Sequence, residues 1–270
     1  MSACPSPVAQ RSHGAAHLGF RCEGSWTRLA RLHQSGSAKA FVHPMITGPE
    51  VVFLNTSGGM TGGDSLRYEL DLAAGCRVTA TTQTAERAYR SVEGAAEVAV
   101  TLNLGPAAHL DWLPQETILF DSSALNRRTT VNLSAGASCL VLEAVVLGRL
   151  AMSETVRSLS LTDHRKIFRD GVPVLYEPLR LTDAALADGP GLMQGARAFA
   201  SLALVQPGAE ARLNAVRAVL DEPGVLSGAS AFDGKLVLRL MAADGWPLRR
   251  QVLRLLSLLR AAPPPRVWLM

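Results

Sequence analysis

The residues of this sequence that could do chemistry are carboxylates and amides inside otherwise apolar segments. They are Gln83, Glu86, Gln115, Glu116, Asp121 and Glu143. Glu143, for example, interrupts an apolar run that extends from Cys139 to Leu147. An unpaired carboxylate is costly to bury, so each such group must be paired, protonated or hydrated.

Two interpretations of these carboxylates stay open. The first is structural, because ion pairs are a common reason for carboxylates in a core. The arginines available for such pairs are Arg87, Arg90 and Arg149. The second is a hydrated, oxygen-lined interior, since oxygen ligands hold a divalent ion more loosely than thiolate or imidazole and so permit its transit. The candidate residues for such a polar passage are Glu86, Glu116, Asp121 and Glu143.

The sequence has no nucleophile-elbow, zinc-protease or EF-hand motif. The glycine-rich segment consists of paired glycines and an aspartate: Gly58, Gly59, Gly62, Gly63 and Asp64. It lacks the lysine of a phosphate-binding P-loop, and a predicted strand follows it instead of a helix. Tight turns explain its glycines better. No catalytic, cofactor-binding or metal-binding residue is assigned.

Composition indicates a globular chain with a large core. The sequence has 270 residues, 48% of them hydrophobic and 19% charged, with a net charge of +4. Its basic residues are scattered and aromatics make up only 5%, which argues against a nucleic-acid-binding surface. The first 19 residues lack an export signal, and no apolar stretch approaches the ~20 residues of a membrane helix. We therefore expect a cytoplasmic protein that binds neither nucleic acid nor membranes.

Alternation of apolar and polar residues predicts strands from about residue 38 to residue 182. Leu66 to Leu72 alternates as a half-buried strand does. Asp170 and Gly171 separate two apolar runs and predict the tight turn of a hairpin. Pro173, which donates no ladder hydrogen bond, places the second strand of that hairpin at a sheet edge.

Three segments of similar sequence predict β units stacked on one another. They are residues 70–78, 102–110 and 131–139. Each consists of a strand, a small-residue turn and another strand, and equivalent residues are about 30 positions apart. Stacking would let each unit bury its face on the next. Because the same pattern also arises by chance in antiparallel proteins, both interpretations stay open.

The ends of the chain have a different character. Residues 1–18 lack an apolar face, so we expect a flexible tail there. Helical spacing predicts two helices, near 209–220 and 245–261, with a strand at Lys235 to Met241 between them. Asp244 is the expected cap of the second helix. The prediction is a single, mostly β domain from residue 19 to residue 270.

Four segments in a fixed order resemble the urease accessory protein family UreD, also called UreH. They are residues 54–64, 81–91, 112–121 and 147–154. The similarity is strongest from about residue 20 to residue 182, is general in the last third, and does not include the first 18 residues. The motif residues that carry over are Gly58, Gly59, Gly62, Gly63, Asp64, Gln83, Glu86, Tyr89, Arg90, Gln115, Glu116, Asp121, Arg149 and Glu154.

This resemblance implies both a fold and a function. The fold is mostly β, a β-helix-like stack of many short strands with about two C-terminal helices. The function is a non-catalytic one, in which the protein joins apo-urease to UreF and the GTPase UreG and assists nickel insertion into the urease active site. Nickel would be in transit through an internal passage, and no cofactor would be tightly bound.

Two alternatives to nickel delivery stay open. A β-helix carbohydrate-active enzyme would need a pair of carboxylates about 5–10 Å apart in an open cleft. A plain interaction module would bind partners but have no role with metals, so its buried carboxylates would be purely structural.

Overall fold

The computed structural model describes residues 10–149, 152, 154–187 and 192–269, which form two β-sheets and a helical layer. The strands of the seven-stranded sheet are β1 (His13–Glu23), β2 (Trp26–Gly36), β5 (Ser65–Leu72), β8 (Ala96–Leu104), β11 (Ser123–Leu133), β13 (Leu159–Arg169) and β14 (Val172–Thr182). The strands of the ten-stranded sheet are β3 (Ala38–His43), β4 (Glu50–Asn55), β6 (Arg77–Thr82), β7 (Glu86–Ala88), β9 (His109–Trp112), β10 (Thr117–Leu119), β12 (Ser138–Leu147), β15 (Ala198–Val205), β16 (Val225–Phe232) and β17 (Lys235–Ala242). The α-helices are α1 (Leu213–Ala218) and α2 (Gly245–Leu259).

The three similar segments form the centre of a stack. Strands β5, β8 and β11 are parallel neighbours in one sheet, and β6, β9 and β12 are parallel neighbours in the other. Leu72, Leu104 and Leu133 lie in direct register. The repeat in the sequence therefore marks structural units, and the stacked, mostly β fold with about two C-terminal helices is confirmed.

The main core lies between the two sheets. In β5, Leu66, Tyr68, Leu70 and Leu72 are buried while the residues between them are not, as the period of a strand requires. The Tyr68 ring lies 4.5 Å from the ring of Phe53 in the opposite sheet, measured between centroids. Burial of such apolar surface, at roughly 25 cal/mol per Å², is what holds the sheets together.

A second core lies between helix α2 and the outer face of the ten-stranded sheet. The helix begins at its predicted cap, where the Asp244 carboxylate accepts a hydrogen bond from the Trp246 amide at 3.0 Å. Its predicted apolar stripe, including Leu248, Val252 and Leu255, is buried against the sheet. Strand β12 is consequently buried on both faces. Within the described ranges, no helix has the length and apolar content that crossing a membrane requires.

The predicted hairpin at Asp170 and Gly171 is confirmed. Both residues have positive φ, +48° and +80°, as the tightest hairpin turns demand. The turn joins β13 to β14 in antiparallel register, with a bulge in β14 next to Pro173. Strand β14 forms one edge of the seven-stranded sheet, where a proline is tolerated.

The prediction of a flexible tail from residue 1 to residue 18 is wrong for residues 13–18. They belong to β1, which pairs in parallel with β5 and antiparallel with β2. The buried side chains of this segment include Ala16 and Leu18, and alanine gives little hydrophobic signal in the sequence. Pairing with a strand about 50 residues away orders the segment. Residues 1–9 lie outside the described part of the chain.

Candidate functional site

Glu143 points into the space between the two sheets. In β12, Val141 and Val145 belong to the core between the sheets, whereas Leu142 and Ala144 pack on the helical side. Because side chains alternate along a strand, Glu143 faces the same way as the two valines. Only 4% of its surface is exposed.

A buried arginine binds this glutamate. Arg127 on β11 lies 2.7 Å from the Glu143 carboxylate, measured from Nη1 to Oε2. The same guanidinium donates two hydrogen bonds to the Asp163 carboxylate on β13, of 2.7 and 3.1 Å. It donates a third, of 3.0 Å, to Thr117 Oγ1. The indole of Trp112 donates to Glu143 at 3.2 Å. One cation thus bridges two carboxylates that come from opposite sheets.

Burial opposes charge on all three of these groups. For Asp163, burial raises the pKa of the carboxyl, but the charge and hydrogen bonds of Arg127 together with the nearby charge of Arg165 lower it overall. Burial also acts against the charge of Arg127, but Asp163 and Glu143 outweigh it and raise the pKa of Arg127. Burial raises the pKa of Glu143 even though Arg127 favours its ionised form. Of the two carboxyls, Glu143 is therefore the one that takes up a proton more readily.

The polar groups continue from this cluster toward the surface. Arg165 follows Asp163 on the same face of β13, and its Nη2 lies 3.6 Å from the Glu177 carboxylate. Glu177 also accepts hydrogen bonds from Ser201 Oγ at 3.2 Å and from Arg239 Nη2 at 2.8 Å. The Arg239 side chain is 73% exposed. The charged groups therefore run from the core to solvent.

On the other side of the cluster, two small cavities adjoin one another. One, of about 50 Å³, is lined by Arg127 and Glu143 and extends to Tyr68, Thr82 and Glu86. The second, of about 40 Å³, shares those last three residues and reaches the loop at residues 83–85. A cavity of this size in a polar setting accommodates water. We call the whole set of residues the polar path: Glu86, Thr82, Tyr68, Arg127, Glu143, Asp163, Arg165, Ser201, Glu177 and Arg239.

Glu86 is the acidic group at the loop end of the polar path. Its Oε1 accepts hydrogen bonds from Asn55 Nδ2 at 3.2 Å and from the Arg87 amide at 3.1 Å. Burial raises the pKa of the Glu86 carboxyl. Burial and the nearby charge of Glu86 together raise the pKa of Tyr68. Among the described ion pairs there is none to Glu86, in contrast to Glu143.

The other two candidates for the polar passage lie elsewhere. The Glu116 carboxylate is 3.4 Å from Arg249 of helix α2. The Asp121 carboxylate accepts hydrogen bonds from the amides of Arg157 and Ser158, at 2.6 and 3.1 Å, and so holds a turn. Neither residue lines either of the two cavities. The structure thus brings Glu86 and Glu143 together and leaves Glu116 and Asp121 outside the polar path.

The salt-bridge interpretation of Glu143 holds, but with a different arginine. Arg149, a partner suggested by the sequence, pairs with Glu154 at 3.0 Å, and Arg127 takes the place beside Glu143. Sequence reasoning also missed Asp163 and Arg165, both on the inward face of β13. Charged residues at the apolar positions of an alternating strand are the signal that would have found them.

The glycine-rich segment forms tight turns beside the loop end of the polar path. Gly58, Gly59 and Gly63 have φ values of +78°, +146° and +86°, which favour glycine. A Cβ on Gly62 would lie 2.1 Å from Ser91 Oγ. The Asp64 carboxylate accepts hydrogen bonds from two amides, those of Ser12 at 2.7 Å and Thr61 at 2.8 Å.

Three further motif residues contact these turns or the adjoining strands. Tyr89 donates a hydrogen bond to the carbonyl of Gly58 at 3.3 Å. The Arg90 carbonyl accepts one from Thr61 Oγ1 at 2.8 Å. The Gln83 amide donates to the Phe53 carbonyl at 2.8 Å. Each of these hydrogen bonds ends on a backbone carbonyl, so these residues help to hold the turns and strands in place.

The last three motif residues tie distant parts of the chain together. Gln115 donates from Nε2 to the Val267 carbonyl at 2.7 Å and accepts from Arg249 Nη1 at 2.6 Å. It therefore joins the segment before β10 to the C-terminal segment and helix α2. Glu154 accepts from the amides of Asp121 and Arg149, at 3.3 and 3.1 Å, besides pairing with the Arg149 guanidinium.

Another polar cluster lies on the helical side of the ten-stranded sheet. His109 contacts Ser138 Oγ at 2.7 Å through Nδ1 and Asp111 at 3.1 Å through Nε2. Arg260, just after helix α2, donates to the Asp111 carboxylate at 2.7 Å and to Thr79 Oγ1 at 2.9 Å. The cluster thus fixes the end of the helix on the sheet. Nowhere in the described chain do three or more His, Cys, Asp or Glu side chains gather as a metal site.

Comparison with known proteins gives one consistent match. Residues 12–269 match the family described as UreD urease accessory protein. The similarity therefore extends beyond the range of about 20 to 182 that the motifs indicated, and it includes both β1 and the C-terminal third.

Individual relatives agree with the family match. The urease accessory protein UreD of Cereibacter sphaeroides (strain ATCC 17025 / ATH 2.4.3) is 56% identical over 268 residues, 98% of this chain and 97% of the relative. That of Paracoccus denitrificans (strain Pd 1222) is 53% identical over 262 residues, 96% and 92% of the two chains. That of Rhizobium leguminosarum bv. trifolii (strain WSM2304) is 44% identical over 272 residues, 99% of each chain. The chain belongs to the UreD family of urease accessory proteins.

Proposed function

We propose that this chain is a non-catalytic, cytoplasmic scaffold that binds apo-urease together with UreF and UreG, and that nickel ions move along its polar path. The observation that carries the proposal is the polar path itself. Carboxylates, hydroxyls and guanidinium groups are expensive to bury, yet here they run between the sheets from Glu86 at the loop end to exposed Arg239.

The chemistry of the polar path suits an ion in transit. Its donor atoms toward a cation are carboxylate, phenol and hydroxyl oxygens, which bind a hydrated divalent ion weakly and reversibly. None of the described ion pairs includes Glu86, so its carboxylate can receive an incoming cation without displacing a paired arginine. Deeper in the path, an incoming ion competes with Arg127 for Glu143. A nickel ion would thus be bound weakly at Glu86 and would then take the place of Arg127 beside Glu143 as it moves along the path.

The buried carboxylates bear differently on the two alternatives, a carbohydrate-active enzyme and a plain interaction module. Glu143 and Asp163 share Arg127 and are 4% and 1% exposed. They are not a pair of carboxylates in an open cleft, so they give no support to a carbohydrate-active enzyme. A plain interaction module remains the competitor, because it would keep its partners and have no need of the path.

The test replaces Glu86 by glutamine in cells that assemble urease. We expect the nickel content of the purified urease to fall severalfold with Glu86→Gln, while recovery of apo-urease, UreF and UreG with the chain is unchanged. The matched control is Glu97→Gln, since Glu97 is exposed on the outer sheet face and bonds Asn126. That control should load nickel as the wild type does.

Unfolding does not account for the expected loss. The pKa of Glu86 is raised by burial, so the folded state binds a proton more tightly than the unfolded state does. Such a carboxyl lowers stability progressively as pH rises from its unfolded pKa through its folded pKa. The neutral glutamine removes that cost at pH 7, so the variant should melt at or above the wild-type temperature. Full nickel loading by Glu86→Gln would instead favour the plain interaction module.

A further inference from the structure

Two cysteine side chains meet at the end of the stack, where strand β1 lies beside strand β5. Cys22, near the end of β1, lies 3.3 Å from Cys76, measured between the Sγ atoms. Cys76 immediately precedes β6 and is fully buried, whereas Cys22 is half-buried. A Cβ placed on Gly75 would lie 3.9 Å from Cys22 Sγ, so the Cys22 side chain lies against this turn. The sulfurs need to approach by only about 1.3 Å to reach the ~2.05 Å of a disulfide.

Packing alone does not call for a thiol at position 76. The stack register aligns Arg77, His109 and Ser138, so the residues before them occupy equivalent places in three successive turns. Those residues are Cys76, Ala108 and Ala137, each with no exposed surface. Alanine fills the place in the other two units. The thiol occurs in the unit that faces β1, where the second thiol is in contact.

We propose that Cys22 and Cys76 form a reversible thiol-oxidation site, in which a hydroperoxide converts the two thiols into a disulfide. The Cys22 thiolate attacks one peroxide oxygen, the O–O bond breaks, and water leaves after the second oxygen is protonated. Cys22 is then a sulfenic acid, Cys–SOH. Cys76 sulfur attacks that sulfur, gives up its proton, and a second water leaves. Two thiols and one hydrogen peroxide thus give one disulfide and two waters.

The order of the two attacks follows from exposure. Cys22 is the thiol that a peroxide reaches, because Cys76 is enclosed by the turn. Burial and the adjacent Cys22 thiol raise the pKa of Cys76, which makes Cys76 a poor nucleophile for the first attack. Cys76 is therefore the resolving thiol, and it protects Cys22 from further, irreversible oxidation.

The bond would connect the two sheets covalently. Cys22 belongs to the seven-stranded sheet and Cys76 adjoins β6 of the ten-stranded sheet. Closing this loop restricts the unfolded chain more than the folded one. Oxidation should therefore fix the β1–β2 hairpin on the stack and raise the melting temperature.

The test treats the reduced, full-length chain with equimolar hydrogen peroxide. We expect two of its four cysteines to lose reactivity toward a thiol reagent added after denaturation, with peptide mapping finding Cys22 linked to Cys76. A dithiol reductant should restore both thiols, and the melting temperature should rise only in the oxidised form. Four remaining thiols, or a disulfide that involves Cys139 or a second chain, would overturn the proposal.

Two variants separate the two steps. Cys76→Ala copies the alanines of the other turns, so it should fold, and it should accumulate a sulfenic acid at Cys22 that dimedone traps. Cys22→Ser should form neither the adduct nor the disulfide. Cys139→Ser, which removes a buried thiol elsewhere in the core, should behave as the wild type does. If Cys76→Ala gave no dimedone adduct at Cys22, the assigned order of attack would be wrong.

Discussion

Arg127 is the residue on which the charged part of the interior depends. Its guanidinium holds Glu143 from one sheet and Asp163 from the other, each at 2.7 Å. A buried ion pair contributes little compared with an apolar replacement of the same volume, but loss of one partner leaves the other charge without compensation. Substitution of Arg127 would leave two buried carboxylates, those of Glu143 and Asp163, without a positive partner.

We expect Arg127→Met to lower the free energy of unfolding by about 3–5 kcal/mol, the usual cost of breaking a buried pair. Chemical unfolding at pH 7 measures it. The matched control is Arg128→Met, because Arg128 is the next residue of β11 and is exposed; its effect should stay within about 0.5 kcal/mol. Equal stabilities of the two variants would show that the cluster does not depend on Arg127.

At the residue scale, the sequence pointed to some of the side chains of the polar path but not to their partners. Glu86 and Glu143 stand out as polar residues in apolar runs; Glu86 lines both adjoining cavities and Glu143 lines one of them. Glu116 has the same local signature, but its side chain turns toward Arg249 on helix α2. The partner of Glu143 is set by the register of two sheets, which no local pattern specifies. The sequence alone therefore did not show which way these side chains point or which residues they contact.

Among the elements, the glycine-rich turns have the least room for change. Gly62 packs so closely that a Cβ would lie 2.1 Å from Ser91 Oγ and 2.2 Å from the Glu93 carbonyl oxygen. The backbone carbonyl cannot rotate away as a flexible side chain could. The loop after β4 is thus locked against the loop after β7.

We expect Gly62→Ala to destabilise the fold by about 1–3 kcal/mol, the usual range for forced overpacking. Thermal unfolding monitored by circular dichroism measures this. Gly228→Ala is the control, since a Cβ there meets nothing within 4 Å and alanine suits a strand at least as well as glycine. A Gly62→Ala protein as stable as that control would mean that the two loops are not locked.

The elements differ in how well the sequence revealed them. The Asp170–Gly171 hairpin, the stacked units and helix α2 carry local signals: a turn dipeptide, a repeat and an apolar stripe with a cap. Strand β1 does not, because small residues such as Gly14 and Ala16 occupy its inward positions. Its structure depends on pairing with distant β5.

For the whole molecule, stacking explains how a polar path can cross a protein core. Inward residues of neighbouring strands lie side by side, so polar residues at matching positions form a row across the sheet. Glu143, Ser201 and Arg239 form such a row in the ten-stranded sheet. Arg127 and Asp163 are neighbours in the opposite sheet. We propose that nickel ions travel between these two rows.

The most direct test blocks the polar path reversibly. Thr82 lines both cavities at the point where they adjoin, and Thr82→Cys preserves the size of its side chain. The substituted chain is labelled with a benzyl methanethiosulfonate, bound to apo-urease with UreF and UreG, and supplied with nickel. The nickel content of the urease is then measured, and again after the label is removed by reduction and desalting. Wild-type chain treated identically is the control for its native cysteines.

We expect the labelled Thr82→Cys chain to leave urease as poor in nickel as if the chain were missing, and reduction to restore loading to the wild-type level. Binding of the labelled chain to apo-urease should be unchanged. Normal nickel loading by a Thr82→Cys chain that is fully labelled at the substituted position and still bound to urease would contradict passage through the interior.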